Sequence, residues 1–136
     1  MYKKILVATD GSDYSNRAMK AAVELAKIHG ASIEMLHIIP TQTAVYPFPP
    51  VSQEDVQKIK DKVKEETLKG IDAGGVTITS NTLTGSPAAG ILSYCAADYD
   101  LIVMGTKGHG AIGGALIGSV TQRILAEAKC PVLVIK

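Results

Sequence analysis

Gly105-Thr106-Lys107-Gly108-His109-Gly110-Ala111-Ile112-Gly113-Gly114-Ala115-Leu116-Ile117-Gly118-Ser119 is the stretch on which the reading of this 136-residue chain turns. It follows an apolar strand pattern, Leu101-Ile102-Val103-Met104, and runs directly into a helical one. Six glycines in fifteen residues leave backbone N–H groups uncovered by side chains, and glycine reaches positive φ without steric cost. A helix N-terminus adds unpaired donors and the positive end of a dipole. Together these make a phosphate cradle, and the stretch points to a bound nucleotide.

Outward from that loop the chain alternates strand and helix. Ile5-Leu6-Val7-Ala8 is a continuous apolar run, as expected of a strand covered on both faces. Asp10-Gly11-Ser12-Asp13 reads as a turn capping a helix whose inner face is Ala18, Ala21, Ala22, Leu25 and Ala26, ended by Gly30. Ile33 to Ile39 reads as the second strand. Residues 40–51, with Pro40, Pro47, Pro49 and Pro50 around Tyr46 and Phe48, read as a long loop of the kind that is often functional. Ser52-Gln53-Glu54-Asp55 resembles a capping box, followed by helical spacing at Val56, Ile59, Val63, Thr67 and Ile71. Val76 to Ser80 alternates like a half-exposed edge strand. Ser86-Pro87 supplies N-cap and N1 chemistry for a helix with Ala88, Ile91, Leu92, Cys95 and Ala96 inside. Val120, Ile124 and Ala128 mark the last helix, and Pro131 to Ile135 the last strand.

Five strands alternating with four helices predict an α/β fold: one doubly wound, Rossmann-like domain over residues 1–136, with a parallel sheet of order 3-2-1-4-5. In such sheets ligands bind beyond the carboxyl ends of the strands, where the strand order reverses. Asp10 follows strand 1 and the glycine loop follows strand 4, so that order brings the two most site-like features to one crevice.

Composition removes several alternatives. Net charge is +1, and the aromatics are five Tyr, one Phe and no Trp. That leaves neither the basic footprint nor the stacking platforms of a nucleic-acid binder. No apolar run reaches the roughly 18 residues of a membrane span, and the first residues lead into a strand rather than a signal-peptide core. Three scattered histidines have no zinc-ligand spacing. Cys95 and Cys130 form no C-x-x-C and read as two buried, reduced thiols of a cytoplasmic protein.

The loop is not a Walker A motif, because Ala111 and Ile112 stand where Lys and Ser/Thr are required. Gly108-His109-Gly110-Ala111-Ile112-Gly113 is a literal G-x-G-x-x-G, but it follows the fourth strand, and Lys129 to Lys136, where the answering acidic residue is sought, holds no Asp or Glu. A receiver domain of the same fold class needs a phosphoacceptor Asp after strand 3, where Asn81-Thr82 stands instead.

What fits is Gly105-x2-Gly108-x9-Gly118-Ser119. With Lys3-Lys4-Ile5-Leu6-Val7-Ala8-Thr9-Asp10-Gly11-Ser12, Leu36-His37-Ile38, Gly85-Ser86-Pro87 and Cys130-Pro131-Val132-Leu133-Val134-Ile135, the sequence resembles the ATP-binding branch of the universal stress protein family over nearly its whole length. The resemblance implies a nucleotide-holding regulatory protein of the stress response with little turnover, binding ATP or AMP, with room for a hydrated Mg²⁺ carried on the phosphates. It implies that Ala8, Thr9 and Asp10 contact adenine and ribose, that Ile38 packs on the base, and that Met104 and Gly105 line the ribose side. Gly108, Gly118, Ser119 and Val120 would hold the phosphates. Lys107 and His109 are candidates to pair with phosphate oxygens, against a plain reading as solvated loop residues.

The apolar last strand would lie at a sheet edge, which predicts a homodimer through residues 131–136. An unidentified protein partner stays open. The competing reading is a slow ATPase, or an enzyme cleaving or transferring phosphate at the same site, with the Tyr46–Pro50 loop supplying the acceptor pocket.

Overall fold

A computed structural model describes residues 1–41, 52–96, 98–109 and 116–136. Nine elements follow one another: β1 (Lys4–Ala8), α1 (Asp13–His29), β2 (Ser32–Pro40), α2 (Gln53–Leu68), β3 (Ile78–Gly85), α3 (Pro87–Cys95), β4 (Leu101–Gly105), α4 (Ser119–Glu127) and β5 (Val132–Ile135). The sheet runs β3-β2-β1-β4-β5 with every pairing parallel. This is the doubly wound architecture and strand order expected from the alternation of patterns. The glycine-rich insert at 110–115 and most of the 40–51 loop, including Tyr46 and Phe48, lie outside the described residues.

Strand side chains alternate between two faces, and the core divides accordingly. Ile5, Val7, Ile33, Met35 and Val103 face α1, meeting Ala18, Met19, Ala22, Val23 and Ala26. Leu6, Ala8, Leu36, Ile38, Ile102 and Met104 face α3 and α4, meeting Ile91, Cys95 and Ile124. The small residues of α1 let that helix lie close to β4, the strand it contacts most. The stripe it buries is Ser15, Ala18, Met19, Ala22, Val23 and Ala26. Ala21 and Leu25 of the expected face are only half-buried, because the stripe is centred one residue further round.

Other boundaries move for physical reasons. β3 starts later than expected and runs to Gly85, because β2 offers it an unbroken ladder from Ile33 opposite Ile78 to Pro40 opposite Gly85. Pro40 therefore closes β2 rather than opening the loop. α2 stops at Leu68, and Ile71 joins the core from beyond Gly70, which turns at φ 70°. Ala96 lies past the end of α3 and is exposed. Ser86 stands at the N-cap of α3 without a side-chain capping bond, whereas Ser52 caps α2 through the Asp55 N–H and donates its hydroxyl back to the Asp55 carboxylate at 2.8 Å. α2 is the least embedded helix: Thr67 alone is buried along it, and Val56, Ile59 and Val63 stay half-exposed.

Candidate nucleotide site

The carboxyl end of β1 sits between those of β2 and β4, which is the switch point of the strand order. The Thr9 N–H still bonds the Leu36 carbonyl at 3.0 Å. Then the chain breaks away through Gly11, whose φ of 81° suits a residue without Cβ. A Cβ there would also come within 3.3 Å of the Val63 backbone, so Gly11 brings α2 close to the turn. Ser12 accepts from the Ser15 N–H and caps α1. The Thr9 and Thr67 hydroxyls meet at 2.6 Å, which pins the end of α2 to the end of β1.

Asp10 is the hub of this turn. Its Oδ1 accepts from the Ser12 N–H and the Ser15 hydroxyl, each at 3.0 Å. Its Oδ2 accepts from the His109 backbone N–H at 2.8 Å, which reaches across to the glycine loop. Burial pushes the Asp10 carboxyl up, but the bonds from Ser12, the His109 N–H and Ser15 outweigh it and hold the group below the usual carboxylate range. Gly108 explains how the carboxylate fits: a Cβ there would lie 2.0 Å from Asp10 Oδ2. The sequence suggested that Gly108 lacks a side chain to admit phosphate. In the structure the vacated space belongs to Asp10.

The opposite wall comes from β4 and α4. Gly105 is pressed against α1, where a Cβ would meet Tyr14 at 2.6 Å. Thr121 donates its hydroxyl to the Gly105 carbonyl at 3.0 Å, and the Gly118 N–H bonds the Thr106 carbonyl at 2.7 Å. These two bonds aim α4 at the end of β4. Gly118 is the N-cap of α4 and brings no side chain to satisfy the first turn. Lys107 lies with its Nζ 5.6 Å from the centre of the Tyr14 ring, while Arg17 stacks on the same ring.

A cavity of about 590 Å³ opens between these walls. Ala8, Thr9 and Asp10 line it from β1, Ile38 from β2, and Met104 and Gly105 from β4. Gly108 and His109 of the loop and Gly118, Ser119 and Val120 of α4 complete the set. All twelve positions singled out in the sequence, Lys107 included, therefore line one space. Further contributions were not named from the sequence as parts of the site. Ile59 and Val63 line the cavity from α2, because their helical spacing looks identical to that of an ordinary core face. Gly90 of α3 lets Ile38 approach, since a Cβ there would stand 3.0 Å from Ile38 Cδ1. His37 lines the cavity with a buried Nδ1 that has no hydrogen-bond partner among the described residues. Burial pulls its pKa down against the opposing pull of Asp10, which keeps the ring neutral to lower pH than usual. A second cavity of about 610 Å³ shares Asp10, Val63, Lys107, Gly108 and His109 with the first and is walled on its far side by Asp13, Lys62 and Glu66.

Among the described residues no group of three or more His, Cys, Asp or Glu could hold a metal ion, and no helix is long and apolar enough to cross a membrane.

A doubly wound sheet with a cavity at its switch point and an uncapped helix N-terminus in the wall defines a class of small-molecule-binding α/β domains. The comparisons give the family. The model of the universal stress protein family matches residues 1–136, and the chain belongs to that family. It is 36% identical to a universal stress protein of Thermus aquaticus, all of both chains being covered. It is also 36% identical to one of Methanocaldococcus jannaschii, covering 100% of this chain and 83% of the relative. Among solved structures, the universal stress protein UspA from Lactobacillus plantarum superposes with a TM-score of 0.74 at 24% identity, over 99% of this chain and 98% of that one. A universal stress protein in complex with cAMP superposes at 0.71 with 24% identity, over 99% and 97%. One from Archaeoglobus fulgidus in complex with dAMP superposes at 0.65 with 23% identity, over 99% and 98%.

Proposed function

We propose that this chain holds an adenine nucleotide, ATP or AMP, in the cavity between β1 and β4, and acts as a nucleotide-dependent regulatory protein with little turnover. The observation that carries the reading is the junction of Asp10 with Gly108 and His109 opposite the open N-terminus of α4. A carboxylate suits ribose hydroxyls, and uncapped helix N–H groups suit phosphate. In this reading Ala8, Thr9 and Asp10 contact adenine and ribose. Ile38 packs on the base, and Met104 and Gly105 flank the ribose. Gly108, His109, Gly118, Ser119 and Val120 take the phosphates. Structural neighbours bound to cAMP and dAMP support an adenine ligand for the family's fold. A Mg²⁺ ion would arrive on the phosphates rather than in a protein cage.

Little turnover follows from the character of Asp10. Its oxygens already accept three hydrogen bonds and its pKa is depressed, which makes it a poor base for activating water.

The test is mass spectrometry and absorbance on purified, denatured protein to find co-purified nucleotide, repeated with Gly118→Val. A Cβ at Gly118 already stands 3.2 Å from the Lys107 backbone, so valine crowds the phosphate side. Adenine nucleotide that disappears in the variant supports the site. Absence of nucleotide, and of binding on adding Mg-ATP, refutes it. Release of phosphate, pyrophosphate or AMP at a steady rate would move the reading to an enzyme.

The same reading includes a homodimer. Among the described residues β5 pairs with β4 alone and its four residues stay half-exposed, an apolar edge that a second copy would cover with two-fold symmetry. Light scattering that reports a monomer at tens of micromolar would exclude this assembly.

A further inference from the structure

We propose that the bond from the His109 N–H to Asp10 is a latch that a phosphorylated nucleotide opens and a nucleoside leaves shut, so that the segment after β4 reports whether the ligand carries phosphate. The inference rests on the nucleotide reading above and adds the regulation of that site. In that reading Gly108 and His109 take phosphate, yet in the structure both are engaged by Asp10. The His109 N–H donates to Asp10 Oδ2 at 2.8 Å. Gly108 is seated on the same oxygen, where a Cβ would stand 2.0 Å away. A backbone N–H is a single donor, and a well-formed bond spends it on one acceptor. A phosphate oxygen gains this donor only by taking it from Asp10. Acceptors are not limited in the same way. A carboxylate oxygen has two lone pairs, so a ribose hydroxyl can bond Oδ2 beside His109 without displacing it.

The surroundings fix what moves and what stays. Asp10 Oδ1 accepts from the Ser12 N–H and the Ser15 hydroxyl, each at 3.0 Å. Both belong to the turn that caps α1, so the carboxylate keeps its place when Oδ2 changes partner. Thr106 is pinned on two sides: its N–H donates to the Ile135 carbonyl at 3.0 Å, and its carbonyl accepts from the Gly118 N–H at 2.7 Å. The turning segment therefore begins after Thr106 and carries Gly108 and His109. Replacing a carboxylate by a phosphate oxygen exchanges one charge-assisted bond for another, which leaves the bond itself nearly balanced. Repulsion tips the balance, because a phosphate beside the N-terminus of α4 stands close to the Asp10 carboxylate and opening separates the two anions. A nucleoside brings neither a rival anionic acceptor nor that repulsion. It does not distinguish the two states, and a ligand shifts an equilibrium only by its differential affinity for them.

Asp10→Asn opens the latch from the other side. The Ser12 N–H and the Ser15 hydroxyl claim the one oxygen of the amide, which turns its NH₂ group toward the His109 N–H. Two donors then face each other, and the latch stays open with no phosphate present while the turn keeps its bonds.

The experiment follows the His109 amide of the native, isotope-labelled protein by NMR. It reads the hydrogen-exchange rate of that amide and its scalar coupling, across the hydrogen bond, to the Asp10 carboxyl carbon. The Ser12 amide, bonded to the other oxygen of the same carboxylate, is the internal control. Calorimetry first establishes saturation by adenosine, by AMP and by Mg-ATP. Both couplings should be present without ligand and with adenosine. With AMP or Mg-ATP the His109 coupling should disappear while that of Ser12 stays. In Asp10→Asn without ligand, His109 should exchange about tenfold faster than in the native protein, as loss of one bond to a charged acceptor requires. The ligand series on the native protein stands even if that variant fails to fold. A His109 coupling that survives saturating AMP overturns the latch and leaves the nucleotide site standing. Its loss with adenosine as well overturns the dependence on phosphate, and its absence from the ligand-free native protein removes the latch itself. Failure of all three ligands to bind overturns both the latch and the reading on which it rests.

Discussion

At each end of the sheet a half-buried carboxylate, Glu34 at one and Asp10 at the other, ties separate segments together, and the partners differ in kind. At the amino end, Glu34 of β2 accepts from the Tyr94 hydroxyl at 2.7 Å and from the Tyr99 hydroxyl. Asn81 of β3 donates to Tyr94 at 3.1 Å, and the two tyrosine rings stack 6.0 Å apart. Burial and the Glu34 carboxylate push the Tyr99 phenol up, so it stays a donor at any physiological pH. At the carboxyl end, Asp10 takes its bonds from two backbone N–H groups and one serine hydroxyl. Tyrosines fill the space around a carboxylate. Backbone and serine satisfy it without bulk and leave a cavity. One functional group, the carboxylate, thus serves as a closed structural tie and as the centre of an open cavity, according to the volume of its donors.

The strongest test of that contrast replaces each hub. Asp10→Ala removes the proposed ribose acceptor and the anchor of the His109 N–H, and should weaken adenine-nucleotide binding about 100-fold by calorimetry, since each bond to a charged acceptor is worth about 1.5–3 kcal/mol. Undiminished affinity would reduce Asp10 to a turn-forming residue. Glu34→Ala should do the reverse. It strips two phenols of their acceptor at a cost of about 2 kcal/mol, which should lower Tm by several degrees, about 5–10 °C, while nucleotide affinity stays within about twofold. A parallel loss of affinity would show that the two ends are coupled.

Much of this architecture is legible in the chain. Apolar runs such as Ile5–Ala8 and Leu101–Met104 mark buried parallel strands, and the glycine-rich stretch after β4 marks the crevice once the strand order is assumed. The links across the crevice are not legible. Nothing local to Asp10 or to Gly108 says that the carboxylate of one occupies the missing side chain of the other. The meeting of Glu34 with Tyr94 and Tyr99 is likewise a product of the fold. α2 misleads for a different reason. Spacing at Val56, Ile59, Val63 and Thr67 reports an apolar face, but it cannot say whether that face meets a core or overlooks a cavity. Asn81 to Thr84, polar but for Leu83, extends β3 because a neighbouring strand offers backbone partners, and side-chain alternation carries no record of that.

Gly90 sharpens the contrast from the other side, because it bears on the cavity without touching the Asp10 hub. Gly90→Ala gains helix propensity of about 1 kcal/mol but sets a Cβ 3.0 Å from Ile38 Cδ1 and 3.2 Å from Cγ1. The Ile38 tip must turn into the cavity. Stability should change little, while affinity for the nucleotide falls about fivefold and affinity for free ribose phosphate, which lacks the base, does not change. Equal losses for both ligands would remove Ile38 from the base-packing role.

The smallest effect separates the two ends by pH. Two groups at the carboxyl end titrate abnormally, and both are depressed. For His37 the folded protein resists the proton more than the unfolded chain, whose value is near 6.5. Its stability contribution is complete above that value and declines as pH falls from it through the lower folded pKa. For Asp10 the decline begins below the reference value of 3.8 and continues through the folded pKa. Melting curves should therefore show a shallow loss of stability in the mildly acidic range and a second loss in strong acid. His37→Gln should abolish the first and spare the second, with a change in Tm smaller than that of Glu34→Ala. Nucleotide that hydrogen-bonds the orphaned Nδ1 of neutral His37 should deepen the first step, because the bound state then favours the unprotonated ring further. If the mildly acidic step survives in His37→Gln, the titrating group lies elsewhere and the ring serves only to fill space beside the cavity.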